Sequence, residues 1–308
     1  QALGLPVVIK PRFVNHGRGI SANLRTQDGI ERAFSAALLE SPDILCERHI
    51  PGADHRLLVV GERVVAAALR EPAQVIGDGV ASVAELVDRA NGDPRRSEGH
   101  ATVLSLIKLD VIGLAVLAEQ GYTPDSIPAA GVQVLIRNTA NLSTGGTATD
   151  ITDLVHPEVA ARAVDAARVV GLDIAGVDVL AQDIGQPLEV QGGAVVEVNA
   201  GPGLRMHLEP SAGTPRPVGE AIVDLLFAPG QDGRIPVTAV TGETGAGAIS
   251  SLVAGMLRRT GAHVGLTNGD GRFLDGRRLG DGDCATPDAA CAVFLNPRVE
   301  VAVLEVQP

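Results

Sequence analysis

Val177-Asp178-Val179 and Val195-Val196-Glu197-Val198-Asn199 each set acidic or amide side chains among valines. Side chains of an extended chain alternate between faces, so Glu197 and Asn199 share one face and Val196 and Val198 the other. Asp, Asn and Glu are depleted in strands, so these positions cost propensity and ask for a reason. One reason is chemical. If the two strands are neighbours, Asp178, Glu197 and Asn199 converge as hard oxygen ligands of the kind that hold Mg²⁺ against phosphates. The other is plain amphipathicity, each strand turning its polar side to solvent. The turn Gly201-Pro202-Gly203 follows at once and lets backbone approach a ligand closely.

A second constellation opens the chain. Val7-Val8-Ile9-Lys10-Pro11 ends an apolar run in a lysine, and Asn15-His16-Gly17-Arg18-Gly19 comes shortly after. An ammonium at a strand end and the N–H groups of a glycine loop can contact phosphates, although a lone Gly-x-Gly loop is most often a hairpin turn. Of the 25 Lys and Arg residues, only Lys10 and Lys108 are lysines. Either chance spared them, or a compact point charge is needed there. Glu47 closes Ile44-Leu45-Cys46-Glu47, and Asp54 follows Pro51-Gly52. Both carboxylates can accept hydrogen bonds from a ribose, or simply meet solvent.

These residues need elements to hold them. Apolar periodicity predicts strands over residues 7–10, 44–47, 56–60, 63–69, 132–137, 177–180 and 195–199, with helices over 26–40, 82–90, 108–120, 157–170 and 217–227. Pro229-Gly230-Gln231-Asp232-Gly233 reads as a linker. Beyond it, a strand over 235–240, a glycine-rich turn, a helix over 249–260 and a strand over 264–266 make a βαβ opening. The expected class is α+β to α/β, with one domain over residues 1–228 and the beginning of another over 229–308. The chain opens on Gln1 and a strand and closes on a strand over 301–306; both ends read as cuts inside folded structure, so a fragment is expected.

Composition narrows the partners. A net charge of −12 and 2% aromatic residues speak against nucleic acid, which asks for basic grooves and stacking platforms. No run approaches the ~18 apolar residues of a membrane span. Cys46, Cys284 and Cys291 have no metal spacing, and an odd count suits a reducing cytoplasm.

Taken in order, Lys10 with its glycine loop, Glu47, Asp54, Asp178 and Glu197-Val198-Asn199-Ala200-Gly201-Pro202-Gly203 resemble the ATP-grasp carboxylate–amine ligases. Four stretches bring the chain closer to the cyanophycin synthetase family: residues 15–19, Asp54-His55-Arg56-Leu57-Leu58, Asn141-Leu142-Ser143-Thr144-Gly145-Gly146-Thr147 and Arg205-Met206-His207-Leu208. The resemblance implies that Lys10 and the loop His16, Gly17, Arg18 and Gly19 bind ATP phosphates, with Glu47 at the adenine and Asp54 at the ribose. It implies Mg²⁺ on Asp178, Glu197 and Asn199, and catalytic cations at Lys10, Arg56 and Arg70. Asn141, Ser143, Thr144, Gly145, Gly146, Arg205 and His207 would shape the site for a cyanophycin primer and an amino-acid or dipeptide substrate. A cytoplasmic homo-oligomer without membrane or nucleic-acid partners goes with the family.

The second domain resembles the start of the family's Mur-ligase-like half but departs from it. Where the family carries Gly-Lys-Thr, this chain reads Thr241-Gly242-Glu243-Thr244-Gly245-Ala246-Gly247-Ala248-Ile249, without the lysine that neutralises phosphate or the hydroxyl that meets Mg²⁺. Glu305-Val306-Gln307-Pro308 likewise departs from an acidic residue followed by Arg-Gly-Gly. One working ATP site points to the family's second type, which joins β-aspartyl-arginine dipeptides. Three rivals stand beside it: the ordinary enzyme adding Asp and Arg, another ATP-grasp ligase, and a non-catalytic polymer-binding protein.

Overall fold

The computed structural model describes residues 3–13, 19–99, 102–227 and 229–307. These form two compact units that divide between Leu226 and Phe227. Among the described residues no helix is long and apolar enough to cross a membrane.

The first unit begins as a small three-stranded layer. Strand β1 (Val7–Pro11) lies between β2 (Ser21–Leu24) and β3 (Ile44–Arg48), both antiparallel to it. Helix α1 (Gln27–Leu38), capped by the Thr26 hydroxyl accepting from the Gly29 N–H, buries Ala33 and Ala37 against Ile9. Alternation along β1 therefore sends Ile9 inward and leaves Lys10 on the opposite face.

Strands β4 (Ala53–Val60) and β5 (Arg63–Glu71) start the main sheet as a hairpin. The chain then leaves it for an insert: β6 (Gln74–Ile76), α2 (Val83–Asn91), β7 (Arg96–Ser97), β8 (Leu104–Ser105), α3 (Val111–Glu119) and β9 (Gln133–Leu135). Strand β6 pairs with β9 and β7 with β8, and the insert has its own core of Val83, Leu86, Leu117, Val134 and Ile136. Ser82 and Glu85 form a reciprocal capping box at the start of α2, which satisfies N–H groups that a helix start leaves unpaired.

Next come β10 (Thr147–Asp150), α4 (Pro157–Val170), β11 (Ile174–Ala181), the single turn α5 (Leu188–Gln191), β12 (Ala194–Asn199), the short α6 (Arg205–Leu208) and α7 (Val218–Leu226). The main sheet has the order β10-β5-β4-β11-β12, antiparallel throughout. One face packs Leu57, Val59, Ala67, Val177 and Val179 against Val159, Ala163 and Ala167 of α4. By the period of two, Asp54, Arg56, Ala68, Arg70, Asp178 and Glu197 face the other way. There Met206 of α6 packs on Ala68 and Ala148, and Val218 of α7 on Leu58, Val60 and Ala66.

The second unit carries β13 (Val237–Thr241), α8 (Ala246–Arg258), β14 (Val264–Asn268), β15 (Gly271–Leu274), β16 (Arg277–Asp281), α9 (Pro287–Phe294) and β17 (Val301–Val306). Its sheet order is β13-β17-β14-β15-β16; β13 and β14 flank β17 in parallel, while β15 and β16 return antiparallel. Helix α8 starts at Ala246, ahead of the expected residue 249, because Gly245 takes φ +78° and turns the chain straight into the first helical turn. The strand over 132–137 contracts to Gln133–Leu135 and the helix over 108–120 to Val111–Glu119, where the Asp110 carboxylate accepts from the N–H groups of Ile112 and Gly113.

Candidate active site

Antiparallel pairing aligns three charged side chains in a row across three strands. Asp178 on β11 sits opposite Arg56 on β4 and opposite Glu197 on β12. Partners directly opposite share a face and lie near enough to interact. Arg70 on β5 is opposite Asp54, and Arg56 opposite Ala68, so both guanidiniums stand on the same face as Asp178. Nε and Nη2 of Arg56 both donate to the Asp178 carboxylate. Arg70 Nη2 donates to Asp178 Oδ2 at 2.9 Å and to Asp54 Oδ1 at 2.6 Å. Arg56, Arg70 and Asp178 are all buried. Burial opposes charge on Arg70, but the Asp54 and Asp178 carboxylates prevail and raise its pKa above the ordinary value.

Glycine at 176 makes room for this array. A Cβ there would stand 2.9 Å from Pro202 Cβ and 3.1 Å from both Cδ and Nη1 of Arg56. The guanidinium and the turn after β12 thus close over a position that takes no side chain.

Glu197 is exposed, and its carboxylate has neither a hydrogen bond nor an ion pair among the described residues. The Asn199 amide donates to Gly176 O at 3.3 Å, which leaves Oδ1 available. Glu197 and Asn199 therefore offer hard oxygen donors along one strand, while Asp178 already carries two guanidiniums. Among the described residues no three His, Cys, Asp or Glu side chains cluster as a metal centre.

Lys10 Nζ pairs with Glu47 Oε2 at 2.7 Å across β1 and β3. Asp54, expected at a ribose, pairs with Arg70. Of the expected phosphate loop, His16, Gly17 and Arg18 lie outside the described residues, as does Asn15; Gly19 is described, at φ +69°. Residues 141–146 form a 3-10 turn at Leu142–Thr144, closed by Gly145 at φ +97°, with Thr144 Oγ1 donating to Asn141 O at 3.0 Å. A Cβ on Gly146 would stand 2.6 Å from Glu71 O, so this loop lies tight against the end of β5.

His207 departs most from its expected part in a substrate surface. It is 2% exposed, and neither ring nitrogen has a hydrogen-bond partner among the described residues. Burial first, then the neighbouring Arg56 guanidinium, lowers its pKa to about 4. It is a neutral imidazole near the Arg56 and Arg70 guanidiniums. Arg205, on the same short helix, donates from Nη1 to Thr102 O at 2.8 Å. Sequence reasoning missed Gly176, for which no local signal existed, and Arg96, whose Nη1 reaches Ser105 O at 2.6 Å and Gly145 O at 3.0 Å.

In the second unit, Gly242 to Gly245 join β13 to α8, but the carboxylate of Glu305 occupies the neighbourhood. Its Oε2 accepts from the Gly269 N–H at 2.7 Å and stands 3.3 Å from where a Cβ on Gly247 would be. An acid thus stands beside the first turn of the helix, where a phosphate-binding loop would present N–H groups to an anion.

A RimK-like ATP-grasp domain matches residues 130–214, which include Asp178, Glu197, Asn199, Arg205 and His207. Over 302 residues, 98% of the chain, the sequence is 47% identical to a cyanophycin synthetase of Nostoc sp., of which it covers 34%. A second cyanophycin synthetase, from Synechocystis sp., is 45% identical over 304 residues, again 98% of the chain and 35% of that protein. Over nearly its whole length the chain is similar to cyanophycin synthetases. It spans about a third of the length of these relatives. A crystal structure of a bifunctional glutathione synthetase from Pasteurella multocida superposes with a TM-score of 0.53 at 37% identity, covering 72% of this chain and 31% of that one. The fold of the matched part is that of ATP-grasp ligases.

Proposed function

We propose that residues 1–228 are the nucleotide- and metal-binding part of an ATP-dependent carboxylate–amine ligase acting in cyanophycin synthesis, and that residues 229–308 begin a Mur-ligase-like domain. The observation that carries this reading is the row Arg56–Asp178–Glu197 across three adjacent strands, joined by Arg70. A carboxylate is a poor electrophile; phosphorylation to an acyl phosphate lets an amine attack and phosphate depart. Such a transfer needs charge neutralisation and positioning rather than a protein nucleophile. Lys10, Arg56 and Arg70 would supply cations for the phosphates and the reacting carboxylate. Asp178, Glu197 and Asn199 would hold Mg²⁺, which when bound neutralises charge on the transferring phosphoryl group. Glu47, Asp54 and Gly19 belong to the nucleotide side, Asn141 to Gly146 with Arg205 to the acceptor side, and His207 to the support beneath both.

For the building block we favour β-aspartyl-arginine over separate Asp and Arg. The support is the second unit, where Ala246 or Ala248, in either register of the glycine-rich turn, stands in place of a phosphate-binding lysine, no hydroxyl residue follows it directly, and the Glu305 carboxylate lies against Gly247. The whole protein, supplied with ATP, Mg²⁺ and primer, is expected to release phosphate with β-Asp-Arg but not with Asp plus Arg, and Glu197→Gln is expected to abolish that release. Phosphate release with the separate amino acids refutes the dipeptide reading; full turnover in Glu197→Gln refutes the metal assignment.

A further inference from the structure

Burial divides the arginines of the first unit. Among its described residues, Arg56, Arg70, Arg96, Arg137, Arg205 and Arg216 are buried or half-buried. Arg56 and Arg70 share Asp178, Arg137 holds Asp110 at 2.7 Å and Arg216 holds Asp150 at 2.7 Å. Arg96 and Arg205 have no ion pair among the described residues. They donate only to main-chain carbonyls: Arg96 to Ser105 O and Gly145 O, Arg205 to Thr102 O.

Carbonyl oxygens satisfy hydrogen-bond geometry without cancelling charge, and cations withdrawn from water are ordinarily paired with anions. Burial lowers the Arg96 pKa, with Asp93 opposing. Each guanidinium has five N–H donors in a fixed fork that matches a carboxylate. Only Nη1 is used in either residue; Nε and Nη2 make no hydrogen bond among the described residues. The two side chains bracket one strip, from Thr102 to Ser105, and Arg96 fastens that strip to Gly145 in the turn beside the charged row.

We propose that Arg96 and Arg205 form a carboxylate-binding pair that grips a side-branch carboxylate of the acceptor peptide, apart from the carboxylate that is activated. Arg96 is thereby a specificity residue as well as the tie between the insert and the acceptor loop. The proposal rests on the ligase reading above for the identity of the acceptor.

The test uses the whole protein without ATP and two synthetic probes. One is a peptide of three β-Asp-Arg repeats; the other is the same peptide with its arginyl carboxylates converted to primary amides. Calorimetric titration of Arg96→Ala and Arg205→Ala is expected to show about tenfold weaker binding of the carboxylate peptide and little change for the amide. Arg96→Lys keeps the charge and is expected to restore part of the difference. Equal weakening toward both peptides reduces Arg96 to a purely structural tie and overturns the proposal, as does unchanged binding of the carboxylate peptide. Titration of the wild-type protein with Mg-ADP separates the two readings: absence of nucleotide binding sinks the ligase assignment, while the contrast between the peptides still decides the role of the pair.

Discussion

His207 converts a packing detail into a measurable pH dependence. The folded protein holds its imidazole neutral down to about pH 4, whereas an unfolded histidine takes a proton near 6.5. As the pH falls, the unfolded chain gains its proton first. The stability that the neutral ring contributes is therefore complete above 6.5 and is lost as pH falls toward 4. Each pKa unit is worth about 1.4 kcal/mol, so the difference amounts to about 2 kcal/mol at pH 5 and about 3 kcal/mol at pH 4. Other groups titrate over the same range, so the informative quantity is the change in slope on substitution. Urea unfolding at pH 7.5 and pH 5 is expected to show wild-type stability falling by about 2 kcal/mol more than that of His207→Gln or His207→Phe. Identical losses in all three proteins refute the claim that the ring stays neutral near Arg56 and Arg70.

Three further outcomes follow from the same geometry. Asp178→Asn leaves Arg56 and Arg70 buried without their shared carboxylate and is expected to destabilise the first unit by about 3 kcal/mol in urea, with the second unit unaffected. Gly176→Val drives a side chain into Pro202 and Arg56 and is expected to cost about 1–3 kcal/mol, read as a lower unfolding midpoint. Glu305→Ala removes the acceptor of the Gly269 amide, whose hydrogen exchange is expected to quicken about tenfold; an unchanged exchange rate at Gly269 contradicts the role given to that carboxylate.

Much of the main sheet was readable in the sequence because its strands are long and strongly patterned. Valines on both sides of Asp178 and Glu197 announced the faces, and the structure supplies the condition the sequence left open by pairing those strands directly. The short strands Ser21–Leu24 and Thr147–Asp150 carry too little periodicity to stand out. Charge pairing was less legible still. That Asp178 shares its carboxylate with Arg56 and Arg70 depends on register across strands more than 100 residues apart in the chain, and no local spacing encodes that. The burial of His207 likewise follows from where a four-residue helix lands on Ala68 and Ala148, not from the residues beside it.

The insert between β6 and β9 closes on its own apolar core, and Arg96 ties it by a hydrogen bond to Gly145. Mutations that resize Leu86, Leu117 or Ile136 are expected to be absorbed largely inside the insert. The strands that carry Arg56, Asp178 and Glu197 need no adjustment in return. On the proposed ligase reading, acceptor preference and phosphate chemistry would then come under separate heritable control: one part of the chain could explore new partners over generations while the other keeps a fixed electrostatic arrangement.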